Sequence, residues 1–94
     1  MTKKDYYVPV EETFFQGVMA ELAYAEEKHR SWPEEDAVHA SAILNEEAGK
    51  LTRASIDYTL GPPEVPSDMR KYALRVAAMA LRFYASLPTY QRQK

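Results

Sequence analysis

The chain contains no cysteine, only three glycines, and no acidic residue after Asp68. Without cysteine it forms no disulfide, thiolate metal site or cysteine nucleophile, and a cytoplasmic location is the plainer expectation. Gly17, Gly49 and Gly61 are too far apart to form a glycine-rich loop that holds phosphate. Long apolar runs are missing as well, and the first ten residues have no signal-peptide pattern. We therefore predict neither a membrane span nor a targeting segment.

Charge is unevenly distributed along the chain. Residues 1–68 carry six Lys or Arg against fourteen Asp or Glu, whereas residues 69–94 carry six Lys or Arg and no acid. We expect the basic segment to pack beside the acidic helices, within the fold or across a dimer, and phosphate binding is the alternative. Nucleic acid is disfavoured as a partner, because the basic residues are not interleaved with aromatic residues or glycines and the domain as a whole is acidic.

The apolar pattern predicts an all-α fold. Ninety-four residues are enough for a single domain, and they show no alternating pattern typical of strands. Three helices are expected at about 9–30, 33–59 and 67–87. The ends of the chain, at 1–8 and 89–94, are expected to be loose tails.

Prolines and short polar residues mark the predicted helix starts. Pro9 suits the first turn of the first helix. The second helix begins either at Pro33, with Ser31 as its cap, or at Asp36, whose charge also favours the helix dipole. Ser67 is the expected cap of the third helix.

The third helix is apolar on two sides. One stripe comprises Met69, Ala73, Val76, Ala80, Phe83 and Leu87, and the other comprises Leu74, Ala77, Ala78, Leu81, Tyr84 and Ala85. Such a helix must be buried on two faces, and a three-helix monomer covers only one of them. The sequence therefore predicts a homo-oligomer in which association completes the helical bundle.

One carboxylate is placed beside the predicted core. At 100° per residue, Glu47 falls on the edge of the apolar stripe of the second helix, about 60° from its centre, while Glu46 faces solvent. A bare carboxylate is costly to desolvate, so Glu47 needs a metal, a cationic partner or a raised pKa. Its oxygens suit a hard cation such as Mg²⁺. The two histidines, His29 and His39, lack the spacing of a metal pair.

A longer pattern runs through the second and third helices. It consists of Trp32-Pro33, Asp36, His39-Ala40, Ile43 to Leu51, Met69-Arg70-Lys71 and Val76 to Phe83. This pattern resembles the MazG-like all-α nucleoside triphosphate pyrophosphohydrolases, particularly short bacterial and phage members, and covers roughly Ala20 to Leu87. The resemblance implies a hydrolase fold that assembles as a dimer or tetramer. In that family Glu-Glu-x-Gly-Glu on the second helix and Glu-x-x-Asp on the third hold Mg²⁺, and water attack between the α- and β-phosphates releases pyrophosphate.

The sequence departs from that family at the metal ligands. Glu47 fits the first ligand, but the second position is Lys50, and the third-helix pair falls at Tyr72 and Arg75. Cations at these positions repel Mg²⁺. We therefore expect Lys50 and Arg75 to replace the metal electrostatically and to pair with Glu47.

An active enzyme is the first of three functions that stay open. In a metal-dependent nucleotide pyrophosphohydrolase, Glu47 is the catalytic residue and a metal ligand, with Glu46 or Asp36 as substitute ligands for Mg²⁺. A first-helix acid, Glu21 or Glu26, from the same or another subunit could complete that site.

The other two functions are non-catalytic. One is a relative that binds a nucleotide or another phosphate through Lys50, Arg75 and Arg82, with Trp32 stacking on the base. The indole of Trp32 is otherwise interpreted as a hydrophobic staple at the start of the second helix. The last function is an oligomeric protein-interaction module, which the two-faced third helix favours.

Overall fold

The computed structural model describes residues 10–28, 32–64 and 67–92. Over these ranges the chain forms helices and turns and no strand, so the predicted all-α class is confirmed. None of the helices described is both long and apolar enough to cross a membrane. The predictions for the tail at 1–8, and for Pro9, His29 and Ser31, lie outside the described residues.

Three α-helices and one short turn of 3₁₀-helix follow one another along the chain. Helix α1 spans Val10–Lys28, α2 spans Ala37–Leu60 and α3 spans Met69–Ala85. The 3₁₀ turn spans Leu87–Thr89. The number and order of the helices agree with the apolar pattern.

Helix α2 begins after Asp36, the second of the two predicted starts. Asp36 has an extended backbone, and its carboxylate accepts a hydrogen bond from the backbone N–H of His39 at 3.1 Å. The residues before it form a turn in which the N–H of Asp36 donates to the carbonyl of Pro33 at 3.3 Å. The helix therefore starts at the residue whose side chain satisfies one of the unpaired N–H groups of its first turn.

Both ends of α3 differ from the prediction. Ser67 is not the cap, because its hydroxyl donates to the carbonyl of Ala54 on α2 at 3.0 Å. Asp68 occupies the cap position, but its side chain makes no capping hydrogen bond. The helix ends at Ala85, since Pro88 has no N–H to continue the α-helical hydrogen bonds and its ring clashes with the preceding turn, so the chain tightens into the 3₁₀ turn.

The residues after α3 are bound to the turn before α2. The hydroxyl of Thr89 donates to the carbonyl of Glu34, and the N–H of Gln91 donates to the carbonyl of Glu35 at 3.0 Å. Between Thr89 and Gln91 the chain is therefore not the loose tail that its polar composition suggests, because backbone carbonyls of a distant turn supply its partners. Residues 93–94 lie outside the described part of the chain.

Helix α3 is the central element and packs against both α1 and α2. Apart from Met79, the buried apolar residues of the described chain are small, namely Val18, Ala25, Ala40, Ala54 and Ala78. Close approach of α1 and α3 depends on Gly17, where an added Cβ would lie 2.7 Å from a methyl carbon of Leu74. The helices thus meet through small side chains, which leaves room for a cleft between their larger ones.

Candidate functional site

A cleft of about 330 Å³ lies where the three helices meet. It is lined by Glu21, Tyr24, Ala25, Trp32, Ile43, Glu46, Glu47, Lys50, Arg75, Met79 and Arg82. Six of the seven site residues predicted from the sequence therefore line one cavity, and Asp36 does not. The cleft brings together three carboxylates and three cations, so its formal charge is close to zero.

Glu47 lies at the edge of the buried side of α2, as its position on the helix predicts. Its side chain is 18% exposed, and its Oε1 atom is 3.2 Å from Nζ of Lys50, one turn further along the helix. The other oxygen, Oε2, is buried and makes no hydrogen bond with the described residues. The expected pairing of Glu47 with Lys50 is present, and Lys50 itself is 45% exposed at the mouth of the cleft.

Arg75 is paired with Glu21 rather than with Glu47. Its Nε atom donates to Oε1 of Glu21 at 2.9 Å, and the guanidinium lies 5.5 Å and 5.7 Å from the ring centres of Tyr24 and Tyr72. Burial lowers the pKa of Arg75, but the hydrogen bond and charge of Glu21, with the charge of Glu47, outweigh burial and raise it. The expected direct pair with Glu47 is thus replaced by a pair that joins α3 to α1.

Arg82 stacks on Trp32 at one side of the cleft. The guanidinium carbon is 4.8 Å from the centre of the indole ring, within the range of a cation–π interaction. The indole also packs against the core, and its Nε1 atom is buried without a hydrogen-bond partner among the described residues. Trp32 therefore both packs against the core and lines the cleft, but it lies too far before Asp36 to be the hydrophobic staple of α2, and base stacking stays a prediction.

Asp36 is separated from the other predicted metal ligands. It caps α2 eleven residues before Glu47, which corresponds to about 16 Å along a helix. Glu46 lines the cleft although its side chain is exposed, and Glu26, the alternative acid of α1, is exposed and does not line it. Of the carboxylates considered for a metal, the structure brings Glu21, Glu46 and Glu47 to the same cavity.

The donors in the cleft do not fit Mg²⁺ as they are arranged. Over residues 10–28, 32–64 and 67–92, no three His, Cys, Asp or Glu side chains are grouped closely enough to hold a metal ion. Two of the three carboxylates of the cleft are already neutralised, Glu47 by Lys50 and Glu21 by Arg75. A divalent ion would have to displace these cations before it met enough oxygen ligands.

Glu21 is expected from the sequence only as an alternative metal ligand, although its position on α1 also indicates a carboxylate beside the core. Glu21 falls three residues after Val18 and four before Ala25, both of which are buried. It is therefore a second carboxylate on an apolar helix face, in the same situation as Glu47. Tyr24 follows one turn later on α1, and the guanidinium of Arg75 lies over its ring. Nothing in the sequence pattern around Tyr24 indicates this contact.

The cleft combines aromatic faces with paired charges. Two arginine–aromatic contacts and one half-exposed lysine line the cavity, and two of the cations are paired with carboxylates that a bound anion could displace.

Comparisons of the chain with protein-family models, with curated proteins and with solved structures gave no match.

Proposed function

We propose that this protein is a MazG-like helical protein whose cleft binds a nucleotide, or a similar phosphorylated ring, without hydrolysing it through a metal ion. The resemblance of the second and third helices supports the scaffold, and the content of the cleft supports the ligand class. Lys50 and Arg82 would contact phosphate oxygens, and Trp32 would support the flat ring. Arg75 holds α1 on α3 beside them.

One observation carries this proposal. Cations stand where the resemblance expects metal ligands, and each is paired with a carboxylate of the cleft, Lys50 with Glu47 at 3.2 Å and Arg75 with Glu21 at 2.9 Å. These pairs place cationic hydrogen-bond donors in the cleft without a divalent ion, while its net formal charge stays close to zero. A charge-assisted hydrogen bond from Lys or Arg to phosphate is stronger than a neutral one, so these residues suit an anionic ligand.

The dimensions of the cleft favour a small ligand. About 330 Å³ lies at the lower end of the roughly 300–1,000 Å³ of cavities that bind small molecules. Six of its eleven lining residues are charged and the rest are apolar or aromatic, which suits a ligand with both a charged group and a flat ring. The proposal therefore concerns a mononucleotide or a molecule of similar size rather than a nucleic acid strand.

The single tryptophan of the chain provides the test. Trp32 fluorescence should change on addition of a nucleotide, in EDTA as well as in Mg²⁺, since the proposed contacts need no metal. Arg82→Gln should weaken binding by about tenfold or more, because a hydrogen bond to a charged group is lost. Arg70→Gln, an exposed arginine at the start of the same helix, is the matched control and should bind like the wild type. Absence of any nucleotide response, or equal loss in both variants, would overturn the proposal.

A metal-dependent pyrophosphohydrolase is the second candidate. It is favoured by one observation, that Glu21, Glu46 and Glu47 all line the same cleft. Pyrophosphate release from a panel of nucleoside triphosphates with Mg²⁺ or Mn²⁺ separates the two functions. Turnover that needs metal and disappears in Glu47→Gln would replace the binding proposal with the enzymatic one, whereas nucleotide binding without turnover supports the binding protein.

A further inference from the structure

The segment after α3 folds back and is anchored on that helix. This segment, residues 87–91, is here called the strap. The hydroxyl of Tyr90 donates to the carbonyl of Phe83 at 3.3 Å, and the centres of the two rings are 5.0 Å apart. The strap is therefore fixed to the end of α3, whose last turn also contains the cleft residue Arg82.

The strap also holds the backbone of the turn before α2, at residues 33–36. The N–H of Gln91 donates to the carbonyl of Glu35 at 3.0 Å, and the hydroxyl of Thr89 donates to the carbonyl of Glu34. Both acceptors are main-chain carbonyls, so these hydrogen bonds fix the path of the backbone rather than the position of one side chain. The strap thus joins the end of α3 to the turn that leads into α2.

This turn determines where one wall of the cleft lies. Trp32 directly precedes it, and Pro33, the next residue, has a fixed φ that limits the rotation between the two. The turn itself is closed by the hydrogen bond from the N–H of Asp36 to the carbonyl of Pro33 at 3.3 Å. The indole of Trp32 lies 4.8 Å from the guanidinium carbon of Arg82, and both residues line the cleft. A shift of the turn would therefore move Trp32 relative to Arg82 and change the shape of the cleft.

We propose that Thr89 and Gln91 are positioning residues for ligand binding, which hold the indole of Trp32 in the wall of the cleft through the turn at 33–36. The ligand rests on the proposed function, whereas the hold on Trp32 does not. Neither Thr89 nor Gln91 lines the cleft, so both act through Trp32 rather than by contact with a ligand. An aromatic ring that is already fixed loses less conformational freedom when a flat ligand binds, and this preorganisation raises the affinity.

Gln91→Pro tests the backbone hydrogen bond, because proline has no N–H to donate to Glu35. The preceding residue, Tyr90, has φ −69° and ψ 139°, which lies in the extended region that a residue before proline favours. Gln91→Ala keeps the N–H and is the matched control. Acrylamide should quench the fluorescence of Trp32, the single tryptophan of the chain, more strongly in Gln91→Pro than in Gln91→Ala or the wild type. This measurement needs no ligand.

The hydroxyl of Thr89 is tested in the same way. Thr89→Val removes the donor at nearly constant side-chain volume, and Thr89→Ser keeps a hydroxyl at the same place. Thr52→Val is the control for loss of an exposed threonine hydroxyl, because Thr52 donates to the carbonyl of Ala48 within α2, at 3.2 Å. Quenching of Trp32 by acrylamide should rise in Thr89→Val, whereas Thr89→Ser and Thr52→Val should behave like the wild type.

Calorimetric titration with ATP, GTP, CTP and UTP in EDTA relates the position of Trp32 to binding. Gln91→Pro and Thr89→Val should bind the preferred nucleotide about twofold to tenfold more weakly than the wild type, the range expected for loss of one hydrogen bond. Gln91→Ala, Thr89→Ser and Thr52→Val should keep the wild-type affinity. Circular dichroism confirms that each variant is helical.

The outcomes separate this inference from the proposed function. Wild-type quenching in Gln91→Pro and Thr89→Val, or wild-type affinity in variants whose quenching rises, would overturn the role of the strap. Equal effects of Gln91→Pro and Gln91→Ala would do the same, because the second variant keeps the N–H. A wild type that binds none of the four nucleotides overturns the proposed function, and quenching alone then decides whether the strap holds Trp32.

Discussion

Glu21 and Glu47 each lie on an otherwise apolar helix face, and each is paired with one cation. Lys50 neutralises Glu47 from the same helix, and Arg75 neutralises Glu21 from a position 54 residues away. Because Lys50 is 45% exposed, its pair resembles an ordinary surface pair within a helix, which is worth about 0.3–0.5 kcal/mol. The pair of Arg75 and Glu21 instead joins two helices and is the one on which tertiary packing depends.

We expect Glu21→Gln to lower the free energy of unfolding by about 1–3 kcal/mol, because the guanidinium of Arg75 loses a charged hydrogen-bond partner in a site where both side chains are only 22–23% exposed. Urea denaturation followed by circular dichroism measures the change. A raised pKa keeps Arg75 charged up to strongly alkaline pH, and the stability it provides is lost only as pH rises through that raised pKa. The effect should therefore be the same at neutral and mildly alkaline pH.

The control for this variant is Glu26→Gln. Glu26 is an exposed acid of the same helix, so its replacement should change stability by no more than about 0.5 kcal/mol. Similar losses in the two variants would contradict a specific pair between Glu21 and Arg75.

Among individual residues, spacing within a helix predicts the pair of Glu47 and Lys50 but not the pair of Glu21 and Arg75. Glu47 and Lys50 are three residues apart, so helix geometry alone makes them neighbours. Arg75 was assigned to Glu47 because both fall at expected metal positions, yet its partner is Glu21, which α1 brings to the cleft. The periodic pattern identifies the face on which a charge lies but carries no information on which helix will lie against that face.

Among the helices, a side-chain cap marks the start of α2 but not the start of α3. Asp36 accepts a hydrogen bond from the N–H of His39, whereas Asp68, in the corresponding position of α3, makes no such bond. Ser67 is used for a contact with the carbonyl of Ala54 instead. The sequence contains a plausible cap at each start, and tertiary contacts decide which of the candidates is used.

Asp36→Ala should lower the free energy of unfolding by about 1 kcal/mol, since the first turn of α2 loses its side-chain acceptor. Asp68→Ala is the matched control and should cost clearly less, because that carboxylate makes no capping bond. Thermal denaturation of both variants measures the difference, and nucleotide binding should be unchanged in Asp36→Ala because the residue lies outside the cleft. A larger loss in Asp68→Ala would contradict the assignment of the caps.

The two glycines inside helices are expected to respond oppositely to alanine. Gly49 has no atom within 4 Å of the position that a Cβ would take, so Gly49→Ala should stabilise α2 by about 0.5–1 kcal/mol. At Gly17 the added Cβ would lie 2.7 Å and 2.9 Å from the two terminal methyl carbons of Leu74, which packs against the core. Moving Leu74 costs packing, so Gly17→Ala should gain nothing or destabilise the protein.

Urea denaturation of the two variants side by side tests this difference. Stabilisation of the same size at both positions would mean that α1 and α3 are not in close contact at Gly17. Destabilisation by Gly49→Ala would show that this part of α2 has a neighbour that the isolated chain lacks.

The whole molecule is elongated and has a small core. Its radius of gyration is 15.8 Å and its extents are 51 × 30 × 25 Å, whereas a compact domain of this length has a radius of gyration of about 12 Å. Four of the six buried apolar residues are alanines, which contribute little apolar area each. A small core of this kind agrees with the prediction that association buries further apolar surface.

Stability is therefore expected to depend on protein concentration. For a dimer that unfolds to monomers, each tenfold increase in concentration adds about 1.4 kcal/mol to the apparent free energy of unfolding per dimer, so the urea midpoint should rise. Denaturation curves over a wide range of concentrations measure this shift. Ala80→Glu places a charge on an exposed position of an apolar stripe of α3, so it should give a lower midpoint that does not move with concentration. A wild-type midpoint that does not move would indicate a monomer.

The sequence by itself determined the helical class, the number of helices and the faces on which Glu47, Lys50 and the apolar stripes lie. These features follow from periodicity and from side chains three or four residues apart, so local geometry is sufficient to produce them. Only the tertiary structure decided that Glu21 pairs with Arg75, that Arg82 lies over Trp32, and that Thr89 is bound to the turn before α2. Each of these contacts joins residues 50 or more positions apart, and its formation depends on how α1 and α2 pack around α3 rather than on the preference of any segment.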